Sequence, residues 1–338
     1  MKLGVLSLGD HLPNPHDGQR VPQAARLRSV VDSGVRAEEL GFSMIAIGEH
    51  HFNDYIVSSP QLLLSAIAAR TEQIRLATAV TLLPMLDPVR VAEDFATLDL
   101  LSQGRLELVV GRGISPEHYL AFGFDPEDAK RNLEEKLALL VSLWSDDQPV
   151  TWSGNYRSPL HEVTVQPRPF NGVPRVWMGT GMSEESVRRA AESGLPLMLP
   201  SIFKRAEEYR PLVQLYREIM ASAGRAAQAL VGCCSHVHVG PTSQAARSGW
   251  RPYLLQYLDW GNRLRGVRLE VDYDRFIEGP AVCGSPAEVA ERLLSIEEAL
   301  KPDIHLSVFD LGGLPDADLA RTMELFAGEV MPKVQAVP

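Results

Sequence analysis

The feature that most constrains the fold is a regular alternation of short apolar runs with longer runs of helical period. The apolar runs are rich in β-branched residues and nearly continuous, as expected of strands that are buried on both faces. Strands are predicted at residues 3–8, 44–48, 74–82, 106–110, 175–179, 195–199, 230–239 and 304–311. A helical segment follows each strand, and this order predicts an α/β fold, namely a (β/α)8 TIM barrel.

The predicted helices begin and end at residues that suit those positions. Asp87 can cap a helix whose first position is Pro88. Ser285 and Glu288 have the spacing of a capping box, and Gly41 follows a predicted helix end. Helices are predicted at residues 23–40, 61–71, 126–144, 183–193, 204–223, 242–260 and 316–330, and after Asp87 and Ser285.

Two irregular segments interrupt the repeat. Residues 146–174 are polar, aromatic and rich in proline, and we predict that they form an insertion after the fourth strand and its helix. Residues 261–280, which are rich in Arg and Gly, form a second irregular segment after the seventh strand. Because 338 residues are within the usual length of one barrel, we predict a single domain over residues 1–338.

Charge and composition exclude several kinds of partner. The formal net charge of -10 argues against nucleic acid and against an anionic membrane surface. The chain has no apolar stretch long enough to span a bilayer, and its apolar start is too short for a signal peptide. The 3 cysteines are too few for a disulfide framework and fit a reducing compartment. We therefore predict a cytoplasmic protein that acts on a small molecule.

Adjacent histidines, His50 and His51, follow the second predicted strand. TIM barrels carry their active sites at the C-terminal ends of the strands, so this position favours a function. A neutral imidazole can take or give a proton near pH 7. The alternative is a pair of inert, hydrogen-bonded loop histidines. We predict that both are catalytic.

A candidate phosphate site follows the fourth and fifth strands. Gly111-Arg-Gly113 leaves one strand, and Gly179-Thr-Gly-Met-Ser183 opens a helix after the next. Glycines let backbone approach a ligand closely, a guanidinium can fork onto phosphate, and helix N-termini bind anions. Alternatively, the Arg is a surface charge and Ser183 an ordinary N-cap. The two acids after Ser183 would repel phosphate unless they point outward. The candidate residues are Arg112, Thr180, Gly181 and Ser183.

A His-x-His pair, His236 and His238, lies in the seventh predicted strand. Two residues apart in a strand, both rings are expected on one face, a spacing that can bind metal. Metal-dependent barrel hydrolases carry further histidines on the fifth and sixth strands, where this chain has none. A packed pair of histidines is therefore favoured, and we predict no metal site.

Several short motifs, taken in order and spacing, resemble the luciferase-like flavin monooxygenases, most of all the α subunits of bacterial luciferase. The resemblance runs nearly from end to end. Its motifs are Glu49-His-His-Phe52, Ala77-Thr-Ala-Val80, Leu83-Pro-Met-Leu-Asp-Pro-Val-Arg90, Leu98-Asp-Leu-Leu-Ser-Gln-Gly-Arg105, Gly111-Arg-Gly113, Gly194-Leu-Pro196, Gly284-Ser-Pro286 and Val330-Met-Pro332.

This resemblance implies a cofactor and a reaction. Reduced FMN is expected in the barrel mouth, where dioxygen adds at its C4a carbon and the resulting flavin hydroperoxide oxygenates a small organic substrate, such as a carbonyl compound. His50 matches the histidine that supports this chemistry in the family, and His51 is its neighbour. Residues 261–280 lie where the family has a mobile lid, which would shield the intermediate from water.

The resemblance also implies how the flavin is held. Arg112 is expected to bind the FMN phosphate, together with backbone from Gly181 and Ser183. The junction of Ala79 and Val80 is expected against the flavin ring and is a candidate for a non-prolyl cis peptide.

The chain departs from the luciferase pattern in two places. Gly111 stands where the luciferase α subunit has Cys, and His118 lies near the position of a carboxylate. These departures leave the substrate open, and light emission is not implied. Two other functions also stay open: an F420-dependent hydride-transfer oxidoreductase of the same superfamily, and a non-catalytic partner like the luciferase β subunit.

Partners follow from the same resemblance. No second nucleotide-binding domain for NAD(P)H is visible, so FMNH2 is expected from a separate flavin reductase, by diffusion or in a transient complex. Dioxygen and a small molecule are the other expected reactants. The family usually dimerises through helices near the second and third strands, and we predict a homodimer.

Overall fold

Parallel strands form a closed barrel in the computed structural model, which describes residues 1–113, 115–145, 148–264, 266 and 271–336. The described strands are β1 (Lys2–Ser7), β2 (Met44–Ile47), β3 (Arg75–Thr78), β4 (Leu106–Val110), β5 (Val150–Trp152), β6 (Leu160–Val163), β7 (Arg175–Gly179), β8 (Leu197–Met198), β9 (Val231–Val239), β10 (Val282–Gly284) and β11 (Ile304–Val308). Among them, β1, β2, β3, β4, β7, β8, β9 and β11 pair in that order, and β11 pairs with β1. The predicted (β/α)8 barrel is confirmed.

Helices surround the barrel and connect its strands. The described helices are α1 (Gln23–Glu39), α2 (Pro60–Ala68), α3 (Pro88–Leu101), α4 (Pro116–Ala121), α5 (Ala129–Ser145), α6 (Glu184–Glu192), α7 (Arg210–Ser222), α8 (Ser243–Leu264), α9 (Tyr273–Glu278), α10 (Pro286–Leu300), α11 (Asp316–Leu325) and α12 (Met331–Gln335). The predicted caps are present: the side chains of Asp87 and Ser285 accept hydrogen bonds from backbone amides of α3 and α10. Gly41, after α1, has the positive φ of 81° that favours glycine.

The structure adds elements that the periodicity did not predict. Within the predicted insertion, β5 and β6 form an antiparallel hairpin; residues 146 and 147 of this insertion lie outside the described part. The short strand β10 pairs with the end of β9, and α4 follows β4. Helix α8 continues past its predicted end at residue 260 and ends at Leu264.

Side chains fill the inside of the barrel below its mouth. The inward-facing residues of this core include Leu6, Met44, Ala77, Val109 and Trp177. A larger cluster packs the outer face of the strands against the helices. All 3 cysteines are buried and free. In the described part of the chain, no helix has the length and apolarity needed to cross a membrane. Because the barrel centre is packed, space for a ligand lies at the C-terminal ends of the strands.

Candidate active site

A cavity of about 1100 Å³ lies at the C-terminal ends of the barrel strands. The lining residues that belong to predicted site segments are Glu49, His50, Ala79, Val80 and Gly113. The irregular segment 261–280 supplies one wall through the end of α8 and through α9; residues 265 and 267–270 of that segment lie outside the described part. His51, Arg112, Thr180, Gly181 and Ser183 are not among the described residues that line this cavity.

His50 stands in the cavity wall beside an aromatic ring. Its imidazole stacks on Tyr55 with 3.9 Å between ring centroids. Burial, with smaller effects from His118 and His51, lowers the pKa of His50 to about 3. Its Nδ1 is buried and has no hydrogen-bond partner among the described residues. At neutral pH this imidazole is therefore uncharged and keeps hydrogen-bonding capacity at the cavity.

His51 turns away from the cavity and binds the neighbouring carboxylate. Its Nε2 lies 2.9 Å from Glu49 Oε1, and the other oxygen of Glu49 accepts a hydrogen bond from the Leu82 amide at 3.0 Å. The His51 ring also meets Phe122 edge-on, with 4.9 Å between centroids. The two adjacent histidines therefore differ in position: one faces the cavity, and the other braces the loop behind it.

The peptide bond between Ala79 and Val80, directly after β3, is cis, and both residues line the cavity. Two glycines make room for Val80. A Cβ on Gly111 would lie 2.7 Å from Val80 Cγ2, and a Cβ on Gly179 would lie 2.7 Å from Val80 Cγ1. The glycines at the ends of β4 and β7 thus let Val80 pack directly against the backbone.

Arg112 and Thr180 follow neighbouring strands at equivalent positions. Each lies two residues after a member of the last pair of β4 and β7, which is Val110 with Met178. Among the described residues, nothing forms a hydrogen bond or ion pair with the guanidinium of Arg112. The acids that could repel an anion are engaged elsewhere: Glu185 binds Lys130 Nζ at 2.6 Å and Arg189 at 3.0 Å. Both acids of the first turn of α6 are exposed, and Lys130, with a smaller effect from Arg112, lowers the pKa of Glu185.

Some polar groups of the loop before α6 form hydrogen bonds within the protein. The amide and hydroxyl of Thr180 both donate to the Met198 carbonyl, at 3.1 and 3.3 Å. The Ser183 hydroxyl caps α6 by accepting from the Ser186 amide at 3.3 Å. Ser183 is thus an N-cap, and its side chain has a structural role whether or not an anion binds there. The amides of Gly181 and Ser183 have no acceptor in the part of the chain that the structure describes.

A buried acidic cluster sits beside the cavity where β1 and β11 end. Asp310 Oδ2 accepts hydrogen bonds from the Ser7 hydroxyl at 2.6 Å and from Arg26 at 2.7 Å. Asp10 accepts from the Gly312 amide at 2.9 Å. Burial outweighs the nearby Arg26 and raises the pKa of Asp10 to about 7. Asp10 follows the first predicted strand and Asp310 lies near the end of the eighth, but no sequence motif assigned them a role.

The two histidines of β9 lie in different surroundings. His236 lines the cavity, whereas His238 stacks on Trp250 with 5.5 Å between centroids, and its Nδ1 lies 3.2 Å from the Thr322 hydroxyl. The two rings therefore lie in different surroundings, although the residues are two apart in one strand. No group of three or more potential metal ligands occurs among the described residues.

These features agree with a family assignment. The family model described as luciferase-like monooxygenase matches residues 1–301, so the chain belongs to the luciferase-like monooxygenase family. Among curated relatives, limonene 1,2-monooxygenase from Rhodococcus erythropolis is 28% identical, over 77% of this chain and 69% of that one. The alkanal monooxygenase alpha chain of the Kryptophanaron alfredi symbiont is 23% identical, over 93% of this chain and 94% of that one.

Solved structures share the whole fold. The monooxygenase RslO1 from Streptomyces bottropensis has a TM-score of 0.88 and 27% identity, and the match covers 98% of this chain and 99% of that one. The oxygenating constituent of 3,6-diketocamphane monooxygenase from Pseudomonas putida, in complex with FMN, has a TM-score of 0.81 and 20% identity, with coverage of 99% and 98%. An F420-dependent secondary alcohol dehydrogenase has a TM-score of 0.77 and 18% identity, with 98% of both chains covered.

Proposed function

We propose that this protein is a flavin-dependent monooxygenase that uses reduced FMN and dioxygen to oxygenate a small organic substrate. The observation that carries the proposal is the cavity of about 1100 Å³ that the neutral His50 lines together with Ala79 and Val80, in a chain of this family. When bound, reduced FMN supplies the two electrons that reduce one oxygen atom of dioxygen to water while the other atom enters the substrate.

The residues present fit this cofactor. The cavity offers an apolar wall for a flavin ring, formed by Leu8, Ala79, Val80 and Leu82. Gly113 also lines the cavity, so Arg112 lies next to its edge. The unpaired guanidinium of Arg112 and the amides of Gly181 and Ser183 are suitable partners for a phosphate at the N-terminus of α6. Thr180 supports this loop through its bonds to the Met198 carbonyl.

The side chains around the cavity have distinct tasks in this proposal. His50, uncharged at neutral pH, can donate or accept one hydrogen bond at Nδ1, according to its tautomer. His51 acts by position, because its bond to Glu49 fixes the loop that carries His50. The segment 261–280 would exclude water by covering the cavity, and we propose that it moves to admit substrate.

Two kinds of partner belong to the same proposal. We propose that the single domain over residues 1–338 receives FMNH2 from a separate flavin reductase. We also propose a homodimer through α2 and α3, which is supported by the large exposed fractions of Leu62 (66%) and Leu101 (64%) on these helices. Light scattering at micromolar protein concentration measures the mass directly, and a monomer would contradict the dimer.

The cofactor assignment is tested with Arg112→Ala. Because a hydrogen bond to a charged group contributes about 1.5–3 kcal/mol, we expect FMN to bind roughly tenfold or more weakly, with riboflavin binding unchanged because riboflavin has no phosphate. Arg188→Ala is the matched control, since Arg188 is an exposed residue of α6 that only approaches Glu184. Equal FMN affinity in both variants contradicts the phosphate assignment.

The choice of chemistry is tested by titrating the purified protein with reduced FMN and with reduced F420. We expect tighter binding of FMN and an oxygen-dependent product with FMNH2. Tighter F420 binding, with no such product, would establish the hydride-transfer alternative. Binding of neither cofactor would favour the non-catalytic alternative.

A further inference from the structure

His236 differs from the other histidines of β9 and β11. It lies near the end of β9, is 2% exposed and lines the cavity, yet neither Nδ1 nor Nε2 has a hydrogen-bond partner among the described residues. By contrast, Nε2 of His305 lies 3.1 Å from the Ser235 hydroxyl, and Nδ1 of His238 bonds to Thr322. His236 is therefore the histidine of β9 and β11 that lines the cavity and whose two buried ring nitrogens have no hydrogen-bond partner among the described residues.

The protonation state of His236 defines what it can bind. Burial lowers the pKa of His236 to about 4, so the ring is neutral at pH 7. A neutral imidazole offers one N–H donor and one nitrogen acceptor. Buried polar groups are nearly always paired, because an unpaired one loses its solvation without compensation. A polar ligand group in the cavity would supply the pair.

The surroundings of His236 are apolar or already paired. Tyr257 lies 5.3 Å from it between ring centroids, and the hydroxyl of Tyr257 is bonded to the Tyr55 hydroxyl at 2.7 Å. Phe276 lies 5.9 Å away, and Ile202 lines the same cavity. The ring nitrogens thus stand out as polar atoms in a largely apolar part of the wall.

Charged side chains of the cavity lie at its rim. The exposed lining residues with a charge are Lys204, Arg205, Glu208, Asp272, Asp274, Arg275 and Glu278. Inside, the carboxylate of Glu49 is occupied by His51 and by the Leu82 amide. A charged substrate group would therefore lose its hydration inside the cavity without an opposite charge to replace it, which is costly. The interior suits a neutral group.

We propose that His236 is a specificity-determining residue that hydrogen-bonds a neutral oxygen, carbonyl or hydroxyl, on an otherwise apolar substrate. This inference rests on the proposed function, since it assumes that the substrate occupies this cavity. It narrows the substrate class: carboxylates, phosphates and ammonium compounds are disfavoured, and hydrocarbons without a polar oxygen bind more weakly than their ketone or alcohol counterparts.

The test compares two probes of nearly equal shape, cyclohexanone and methylenecyclohexane, with cyclohexanol as a second oxygen-bearing probe. Their binding to the full chain is measured by calorimetry or by ligand-observed NMR, with and without FMN. In His236→Phe we expect cyclohexanone and cyclohexanol to bind roughly two- to tenfold more weakly, the effect of one neutral hydrogen bond, and methylenecyclohexane to bind as before. His236→Gln, which keeps a donor and an acceptor, should retain part of the preference.

His238→Phe is the matched control, since His238 is two residues away and outside the cavity. It should leave the preference of the wild type for ketone over hydrocarbon unchanged. Equal weakening of both probes in His236→Phe, an unchanged preference, or no preference in the wild type would each overturn the inference. FMN titration of the same variants separates the two claims: a wild type that binds no FMN refutes the proposed cofactor, whereas the probe preference still tests His236.

Discussion

At the scale of single residues, Glu49 connects two parts of the site. Its carboxylate is 4% exposed, and its two oxygens bind the His51 ring and the Leu82 amide. His51 belongs to the loop after β2, and Leu82 follows the cis peptide after β3. A buried carboxylate with both oxygens paired is stabilising only while both partners remain. Glu49 therefore fixes the distance between the loop that carries His50 and the segment proposed to contact flavin.

Removal of this carboxylate should cost stability. For Glu49→Ala we expect the free energy of unfolding to fall by about 2–3 kcal/mol, because the Leu82 amide and the His51 ring both lose their acceptor. Glu49→Gln keeps one acceptor oxygen and should lose less. Urea unfolding followed by circular dichroism measures both, with Glu298→Ala on the exposed face of α10 as control. A loss no larger than that of the control would contradict the connecting role.

The adjacent histidines should also separate in activity. His50 lines the cavity and His51 does not, so His50→Ala should lower the yield of oxygenated product with little change in FMN affinity. His51→Ala should lower the yield less, because it acts only through the position of the loop. The measurement is the yield of product per FMNH2 oxidised, with a ketone or an alcohol that the wild type oxygenates as substrate. The losses of yield in the two variants are then compared. Equal losses of product yield in the two variants would contradict the distinction between a histidine that lines the cavity and one that does not.

At the scale of elements, the ends of β4 and β7 are shaped around Val80. A Cβ added to either Gly111 or Gly179 would lie 2.7 Å from a methyl carbon of Val80, which is too close for both atoms to fit. The luciferase α subunit has Cys at the position of Gly111, so this contact is one place where the present chain differs from that pattern. The glycines on two neighbouring strands therefore set how closely the residue after the cis bond approaches the strand ends.

A double-mutant cycle tests that contact. Gly111→Ala should lower the free energy of unfolding by roughly 1–3 kcal/mol through overpacking against Val80. The same change combined with Val80→Ala should cost clearly less than the sum of the two single changes, because the methyl groups that clash are gone. Gly249→Ala in α8, where a Cβ meets no atom within 4 Å, is the control. If the losses in the free energy of unfolding are additive, the contact between residue 111 and Val80 is not the cause of the destabilisation in Gly111→Ala.

The repeating elements could be predicted from the sequence, whereas the positions of site side chains could not. The barrel strands and the caps at Asp87 and Ser285 depend on local patterns, and the structure confirms them. The position of the Glu49–His51 pair depends on Leu82, and the surroundings of His236 depend on α8 and α9; these contacts join residues that are distant in the sequence. Short elements such as β10 carry too few residues for a periodic signal.

At the scale of the whole molecule, the barrel contains several buried histidines that are neutral at pH 7. Burial lowers the pKa of His238 and His305 to about 4, as it does for His236, and that of His50 to about 3. Burial acts in the opposite direction on Asp10, whose pKa rises to about 7. The buried histidines therefore stay uncharged at pH 7, whereas the buried carboxylates of Glu49 and Asp310 are paired with His51 and Arg26.

This arrangement predicts acid sensitivity. A histidine with a folded-state pKa near 4 and an unfolded-state pKa near 6.5 stabilises the fold above pH 6.5, and that stability is lost as the pH falls toward 4, because the unfolded chain binds the proton first. Asp10 acts in the opposite sense, since the folded state keeps its proton up to about pH 7. Four such histidines outweigh one aspartate, so the free energy of unfolding should fall between pH 6.5 and pH 5.

His305 allows the contribution of one group to be measured. Both His305→Gln and His305→Phe remove a titrating ring that is 0% exposed, so each should reduce the dependence of the unfolding free energy on pH by up to about 1.4 kcal/mol per pH unit in this range. The two variants differ in their bonding to Ser235, so their absolute stabilities should differ while their slopes agree. Urea unfolding at pH 6.5, 6.0, 5.5 and 5.0 gives the slopes. If both variants keep the wild-type slope, neutral burial of His305 is not a source of the acid sensitivity.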